Sequence, residues 1–436
     1  LINDSCKIHK VINNSYSLEH IIKNDFKALK RILLLIPQNV IPATDGGKQS
    51  IFYPMQMLAK HFVVSAVVFV GRKENPIESD YTQIKVKPYF LKTDKSDNPI
   101  KLIINVFQEQ PFKFNRYFSK KNKKKVLELC SEIQPDLIIC HHAHLSYYGK
   151  LLKKSFPKIK LILREHNVEY IIVKQFAEVN KNIFIKLIAF WQFYKMKQVE
   201  IKAWSFFDNV LFISNSDLME AKKHVDGEKY ILLSDGSNLA EINPKIKANA
   251  ILFSGNLSAL QNEYNFNFFI KNIWIPFCEN KKNSEIELWV TGNSVSDFEL
   301  KTSLSRVQQT KFRIKVLGFV ENISEVIQSA KYFLSPTIIG AGIRLKVLEA
   351  ACNGSVIFCT PVDYNMLPDF VDLNNIVLYD SFPTFIEKLE KLDCDNFTYS
   401  TISNNIYDMA AKNLTWRSYE KRYLEIIENV ILKNNS

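Results

Sequence analysis

From Arg31 onward the chain alternates short apolar runs with longer amphipathic stretches. Ile32–Ile36, Val63–Val70, Leu137–Cys140, Lys160–Leu163, Val210–Ile213 and Tyr230–Leu233 have the length and composition of buried strands. Gln49–Lys60, Lys123–Ile133 and Leu145–Lys154 between them are long enough for helices. Near-continuous apolar strands separated by helices predict a parallel sheet covered on both faces. The chain turns polar over Asp235–Asn249, with Pro244 inside, and the rhythm then restarts. Ala250–Ser254, Glu287–Thr291, Ile314–Val316, Tyr332–Leu334, Val356–Cys359 and Ile376–Leu378 read as strands, with helices such as Glu263–Cys278, Ile323–Ala330 and Arg344–Cys352 between them. The fold class is therefore α/β: two doubly wound parallel-sheet domains, at 30–240 and 241–414, after a polar extension at 1–29. Trp416, Tyr419, Tyr423 and Ile426 recur at helical spacing and predict one closing helix within 415–436. In such sheets ligands bind at the carboxyl ends of the strands.

Composition narrows the class. No apolar run reaches the roughly 18–20 residues of a membrane-spanning helix, and Leu1–Asp4 carry no basic-then-apolar leader. Seven scattered cysteines, none at Cys-x-x-Cys spacing, argue against a disulfide framework or zinc site and for a reducing compartment. A net charge of +12 favours anionic partners. Only 12 of 436 residues are glycine, well below the usual share of about 7%, so each glycine marks a place where a side chain is unwelcome.

The densest chemistry lies at Ser335–Ala350, where a strand runs into Gly340-Ala341-Gly342 and a helix starts at about Ile343. A helix N-terminus offers free N–H groups and a positive dipole end to phosphate oxygens. Arg344 and Lys346 add full charges that do not suit a helix start by themselves, which points to an anionic ligand, and Glu349 can accept from a ribose diol. A lone Gly-x-Gly is a weak signal, so a plain strand–helix turn with solvated cations stays open on these residues alone.

This segment resembles the donor motif of glycosyltransferase family 4, retaining enzymes of the GT-B fold, in the branch reading Gly-x-Gly, a basic residue, then Lys-Val-Leu-Glu-Ala. The resemblance extends over most of residues 31–435. It is carried also by Leu252–Leu257 with Gly255, Asn256 and Asn262; by Val316–Val320 with Phe319; by Ile36-Pro37 through Gly46-Gly47; by Arg164–Glu169; and by Trp416. It implies a GT-B architecture and metal-free transfer from a nucleotide-diphosphate sugar with retention of configuration. Arg344 and Lys346 would stabilise the leaving diphosphate, and His166 would hydrogen-bond the transferred sugar. Donor contacts would come from Gly46, Gly47, Gly255, Asn256, Gly292, Phe319, Gly340, Gly342, Ile343 and Glu349. The sequence departs from the family in two places. The first of its two glutamates falls on Ala341, and the usual Arg and Lys after the first donor-domain strand are absent around Asn256 and Asn262.

His144, Asn167 and Glu169 are acceptor-side candidates. His141, His142 and His144 lack a partnering carboxylate or cysteine cluster in sequence, so no metal site is assigned and no cofactor is expected beyond the nucleotide sugar itself. Two basic stretches bear on partners: Lys120–Lys125, and Ile183–Phe207, where Phe184, Phe190, Trp191, Phe193, Tyr194 and Trp204 alternate with lysines. An anionic membrane interface and a domain-core helix both fit the second. No nucleic-acid-binding signature is present. The reading is a cytoplasmic transferase, free or at the inner membrane face, acting on a glycan or lipid-linked acceptor. A catalytically silent sugar-nucleotide binder and a nucleotide-sugar epimerase are the rival classes.

Overall fold

The computed structural model describes residues 30–94, 104–105, 108, 110–225, 227–242, 247–281 and 284–432. The expected extension at 1–29 lies outside them, as does the middle of the polar stretch near Pro244.

Thirteen strands form two sheets. The first contains β1 (Arg31–Ile36), β2 (Val63–Gly71), β3 (Val86–Thr93), β4 (Leu137–His141), β5 (Lys160–Glu165), β6 (Asn209–Phe212) and β7 (Tyr230–Leu232), ordered β3-β2-β1-β4-β5-β6-β7. The second contains β8 (Ala248–Ser254), β9 (Glu287–Thr291), β10 (Ile314–Gly318), β11 (Ala330–Ser335), β12 (Val356–Cys359) and β13 (Val377–Leu378), ordered β10-β9-β8-β11-β12-β13. The pairings are parallel, for example Leu34 opposite Ala66 and Ile139, and Phe333 opposite Leu252 and Ile357. Strand order reverses between β1 and β4 in one sheet and between β8 and β11 in the other. Those are the switch points where a doubly wound sheet opens a crevice.

Strand β3 departs from the sequence expectation, which left Val86–Thr93 unassigned. It is the sheet's edge, with alternating exposure and Pro88 inside, so it lacks the continuous apolar signature of a buried strand. The expected Glu263–Cys278 helix is instead Leu260–Phe269, one π-helical turn at Ile270–Trp274, and Ile275–Asn280. Both faces of the second sheet are buried. Ile251, Phe253, Tyr332 and Leu334 pack into one core with Phe266, Trp274 and Phe385, whereas Ala250, Leu252 and Phe333 pack into the other with Val347, Leu348 and Ile406. This is the period-two alternation of a strand covered twice.

By its internal contacts the chain divides into two compact units. Among the described residues, one comprises those within 30–164, 202–210 and 423–432; the other comprises those within 165–201 and 211–422. Helix Trp416–Leu432 draws its residues from both. Among the described residues no helix is long and apolar enough to cross a membrane.

Candidate functional site

In the second unit, the loop after β11 occupies the sheet's switch point. Its helix starts at Leu345, two residues later than expected, with Arg344 at the cap position. Of the loop's two glycines, Gly342 is required by the protein's own backbone, while Gly340 leaves room for the Arg344 side chain. Gly342 has φ +73°, and a Cβ there would lie 2.2 Å from the His166 carbonyl oxygen and 2.3 Å from the Asn167 side chain. A Cβ on Gly340 would lie 1.5 Å from the Arg344 guanidinium. The loop is thus pressed onto the segment that bears His166, and Arg344 folds back across it.

The loop's N–H groups are largely engaged. Those of Ile338 and Ile339 donate to Asn265 Oδ1 (3.0 and 2.9 Å), that of Gly340 to Gln175 Oε1 (2.9 Å) and that of Gly342 to Asp217 Oδ2 (2.8 Å). Asn167, in the amide orientation its neighbours require, donates to the carbonyls of His166 (2.9 Å) and Ala341 (2.8 Å). Asp217 is fully buried. Desolvation pushes its carboxyl up to about 6, against the opposing pull of Ser214, the Gly342 and Val168 N–H groups and Arg344. None of Asn265, Gln175 or Asp217 was identifiable as a loop partner from sequence. Ser214-x-x-Asp217 reads only as a helix start, a role it does fill, since Ser214 Oγ accepts from Asp217 N–H at 3.2 Å.

The charges flanking the loop divide into two kinds. Arg344 is held by the protein: Nη1 donates to the Ala341 carbonyl (2.7 Å), and Nε lies 3.7 Å from Asp363 Oδ1. Asp363, itself fully buried, also accepts from Ser335 Oγ. Lys346 is different. Its ammonium sits 4.6 Å from the Phe253 ring centroid, and burial lowers its pKa to about 8, with Asp363 pulling the other way and Arg344 adding to the depression. No described residue hydrogen-bonds that ammonium. Glu349, one turn on, is half-buried, and desolvation alone raises its pKa. A half-buried cation and a half-buried carboxylate, neither with a hydrogen-bond partner among the described side chains, project from one short helix.

The remaining donor candidates gather at the ends of β8, β9 and β10. Gly255 follows β8, and its carbonyl accepts from Asn293 Nδ2 (2.7 Å), while Asn293 Oδ1 accepts from Leu257 N–H (2.7 Å). Asn256 shapes the same loop, since its Oδ1 accepts from Ser258 N–H and its carbonyl from Asn262 Nδ2 (2.7 and 3.0 Å). In place of cations, two asparagines build a turn here. Gly292, at φ +89°, donates to the Gly318 carbonyl (2.8 Å), and Phe319 beyond it is 85% exposed. Ile343 is buried beneath the loop in the second core.

His166, Asn167 and Glu169 follow β5. His166 and Glu169 are buried, and helix Glu169–Val179 is capped from another helix: Glu200 accepts from the N–H groups of Glu169 (2.9 Å) and Tyr170 (3.1 Å). Complete burial, then the nearby Glu165, pushes the Glu200 carboxyl well above its usual range. In the first unit, Gly46 and Gly47 open helix Gly46–Ala59, capped by Asp45, which accepts from Lys48 N–H at 3.0 Å. His144 lies among rings, with centroids 5.2 Å from Phe114, 5.8 Å from Tyr117 and 5.7 Å from His142. Helix Ile183–Phe206 is split in character: Trp204 is buried, whereas Phe184, Leu187, Trp191 and Tyr194 are exposed at helical spacing.

Residues 248–393 match the family described as "Glycosyl transferases group 1". An uncharacterised 44.6 kDa protein in the cps region of Klebsiella pneumoniae is 21% identical over 343 residues, covering 77% of this chain and 84% of that protein. Among solved structures, HepE of Anabaena in complex with UDP aligns at a TM-score of 0.66 and 12% identity, over 92% of this chain and all of that one. A glycosyltransferase of Rickettsia africae aligns at 0.65 and 12% over 92% and 98%. WaaG, a glycosyltransferase involved in lipopolysaccharide biosynthesis, aligns at 0.59 and 14% over 90% and 98%. Residues 248–393 are thus similar in sequence to group 1 glycosyl transferases, and over nine-tenths of its length the chain has the α/β fold, two parallel sheets, of solved glycosyltransferases.

Proposed function

We propose that the protein transfers a sugar, with retention of configuration, from a nucleotide-diphosphate donor to a glycan or lipid-linked acceptor. The observation that carries this reading is the Lys346–Glu349 pair: a half-buried cation and a half-buried carboxylate, neither bonded to a described side chain, one turn apart at the sheet's switch point. A nucleoside diphosphate satisfies both, the diphosphate at Lys346 and the ribose hydroxyls at Glu349. The donor base is uracil in this reading, supported by the UDP bound to Anabaena HepE. Lys346 neutralises the charge that grows on the departing diphosphate, assisted by the N–H groups opening helix Leu345–Cys352. Arg344 acts one step removed, holding the Ala341 carbonyl and so the shape of the loop. His166 hydrogen-bonds the transferred sugar, and Gly255, Asn256, Gly292 and Phe319 bracket the base. Gly46 and Gly47 approach the phosphates by backbone, and His144, Asn167 and Glu169 serve the acceptor.

The protein works on the cytoplasmic side of a membrane in polysaccharide assembly, a place supported by the exposed Phe184, Leu187, Trp191 and Tyr194 near Lys181, Lys186 and Lys195. Ala341 in place of a glutamate supports a second reading, a sugar-nucleotide binder without turnover. UDP-sugar hydrolysis or transfer separates the two. The test of the donor site is calorimetry with UDP. Glu349→Gln should weaken binding by about 1–3 kcal/mol with the fold intact, and unchanged affinity would remove Glu349 from the site.

A further inference from the structure

The first unit contains a cavity of about 480 Å³ at the carboxyl ends of β2 and β3, within the size range of small-molecule sites. Among the described residues that line it are four cations, Arg72, Lys92, Arg116 and Lys121, and one carboxylate, Asp94. From this geometry we infer a binding site for a phosphate or diphosphate group of the acceptor. It rests on the reading that this half of the chain holds the acceptor, but on none of the donor residues.

The chemistry is that of an anion pocket with an apolar wall. The Arg116 guanidinium is half-buried and stacks 4.7 Å from the Phe112 ring, so its planar fork is held in place. Lys92 Nζ bonds the Glu74 carbonyl and Asn75 Oδ1 (3.2 Å), which fixes the ammonium and leaves one of its three protons for a ligand. Asp94 lies 3.5 Å from Arg72. Helix Lys120–Ile133 begins at the cavity's rim with three lysines and no acid in its opening residues. That arrangement is unfavourable for the helix by itself and favourable once an anion sits between the lysines and the helix start. The cavity lies at the carboxyl ends of the two outer strands, since Arg72 directly follows β2 and Lys92 is the penultimate residue of β3.

The test uses inorganic pyrophosphate with the full chain, at saturating UDP so that the donor site is occupied. The wild type should bind pyrophosphate by calorimetry, more weakly as salt rises. Arg72→Gln with Lys121→Gln alters exposed side chains only and should weaken that binding at least tenfold while UDP affinity stays the same. Arg116→Gln should weaken it further. No pyrophosphate binding in the wild type, or equal binding in the double variant, overturns the site. Absence of UDP binding would instead overturn the donor reading and leave the pyrophosphate result standing. Competition identifies the source: displacement at lower concentration by dodecyl phosphate assigns a lipid carrier, and by glucose 1-phosphate a soluble phosphosugar. Displacement by neither overturns the assignment to an acceptor.

Discussion

The two glycine loops look alike in sequence and differ in what requires the glycine. At Gly342 the protein itself forbids a side chain, through positive φ and the backbone of His166 at van der Waals distance or less. At Gly47 a Cβ would meet nothing closer than 3.4 Å, the side-chain oxygen of Asp45. The Gly340–Gly342 loop is therefore a packed part of the core whose N–H groups serve Asn265, Gln175 and Asp217. The Gly46–Gly47 turn is open, and its glycines answer to a ligand or to nothing. A glycine in a Gly-x-Gly loop is thus not evidence of phosphate approach until its neighbours are known.

The largest effect that sharpens this contrast is Gly342→Ala, expected to destabilise the chain by about 3 kcal/mol or more through strain and overlap with the His166 carbonyl. Urea unfolding measures it, and a loss under about 1 kcal/mol would mean that the two loops do not differ as described. Next comes the carboxylate beneath the loop. Asp217 is held near 6, so between about pH 4 and 6 the folded chain retains a proton that the unfolded chain releases, and stability falls as pH rises. Asp217→Asn keeps an acceptor for the Gly342 N–H and should remove about 2–3 kcal/mol of that decline. Unfolding titrations at pH 4 and 7 compare the two proteins, with Glu200 contributing in the same direction to both. An unchanged slope would show that Asp217 is not the titrating group.

Lys346 gives the third effect. With its pKa near 8, it loses its charge as pH rises through that value. The kcat/KM for UDP-sugar turnover should then fall about tenfold per pH unit beyond it, and Lys346→Arg should move the fall to higher pH. A flat profile to pH 9 would remove Lys346 from the chemistry. The smallest effect is Gly47→Ala, which should leave stability unchanged or raise it by up to about 1 kcal/mol, because alanine suits the first turn of helix Gly46–Ala59. Any fall in turnover at constant stability would then belong to a ligand approaching that turn.

Legibility in the sequence followed burial. Strands such as Leu252-Phe253 and Phe333-Leu334 are covered on both faces and announced themselves as continuous apolar runs, whereas β3, half-exposed and carrying Lys87, Pro88 and Lys92, did not. The glycines, Lys346 and Glu349 were visible because their types are unusual where they stand. Their partners were not. Gln175 and Asp217 meet the loop across 165 and 125 residues, and nothing local in an amphipathic helix marks which polar side chain turns inward.

Those separations have a kinetic meaning. The amides of Ile338, Ile339, Gly340 and Gly342 are held by side chains 73 to 165 residues upstream, so no local stretch can form this loop while the rest is still a coil. Contacts that span so much chain carry a large closure entropy and are made late. During synthesis this loop therefore takes shape only after the helices bearing Gln175, Asp217 and Asn265 have docked. Its amide protons should exchange with solvent only through openings that undo much of the second unit. A partly folded chain has no half-made Gly340–Gly342 loop on which a ligand could settle early.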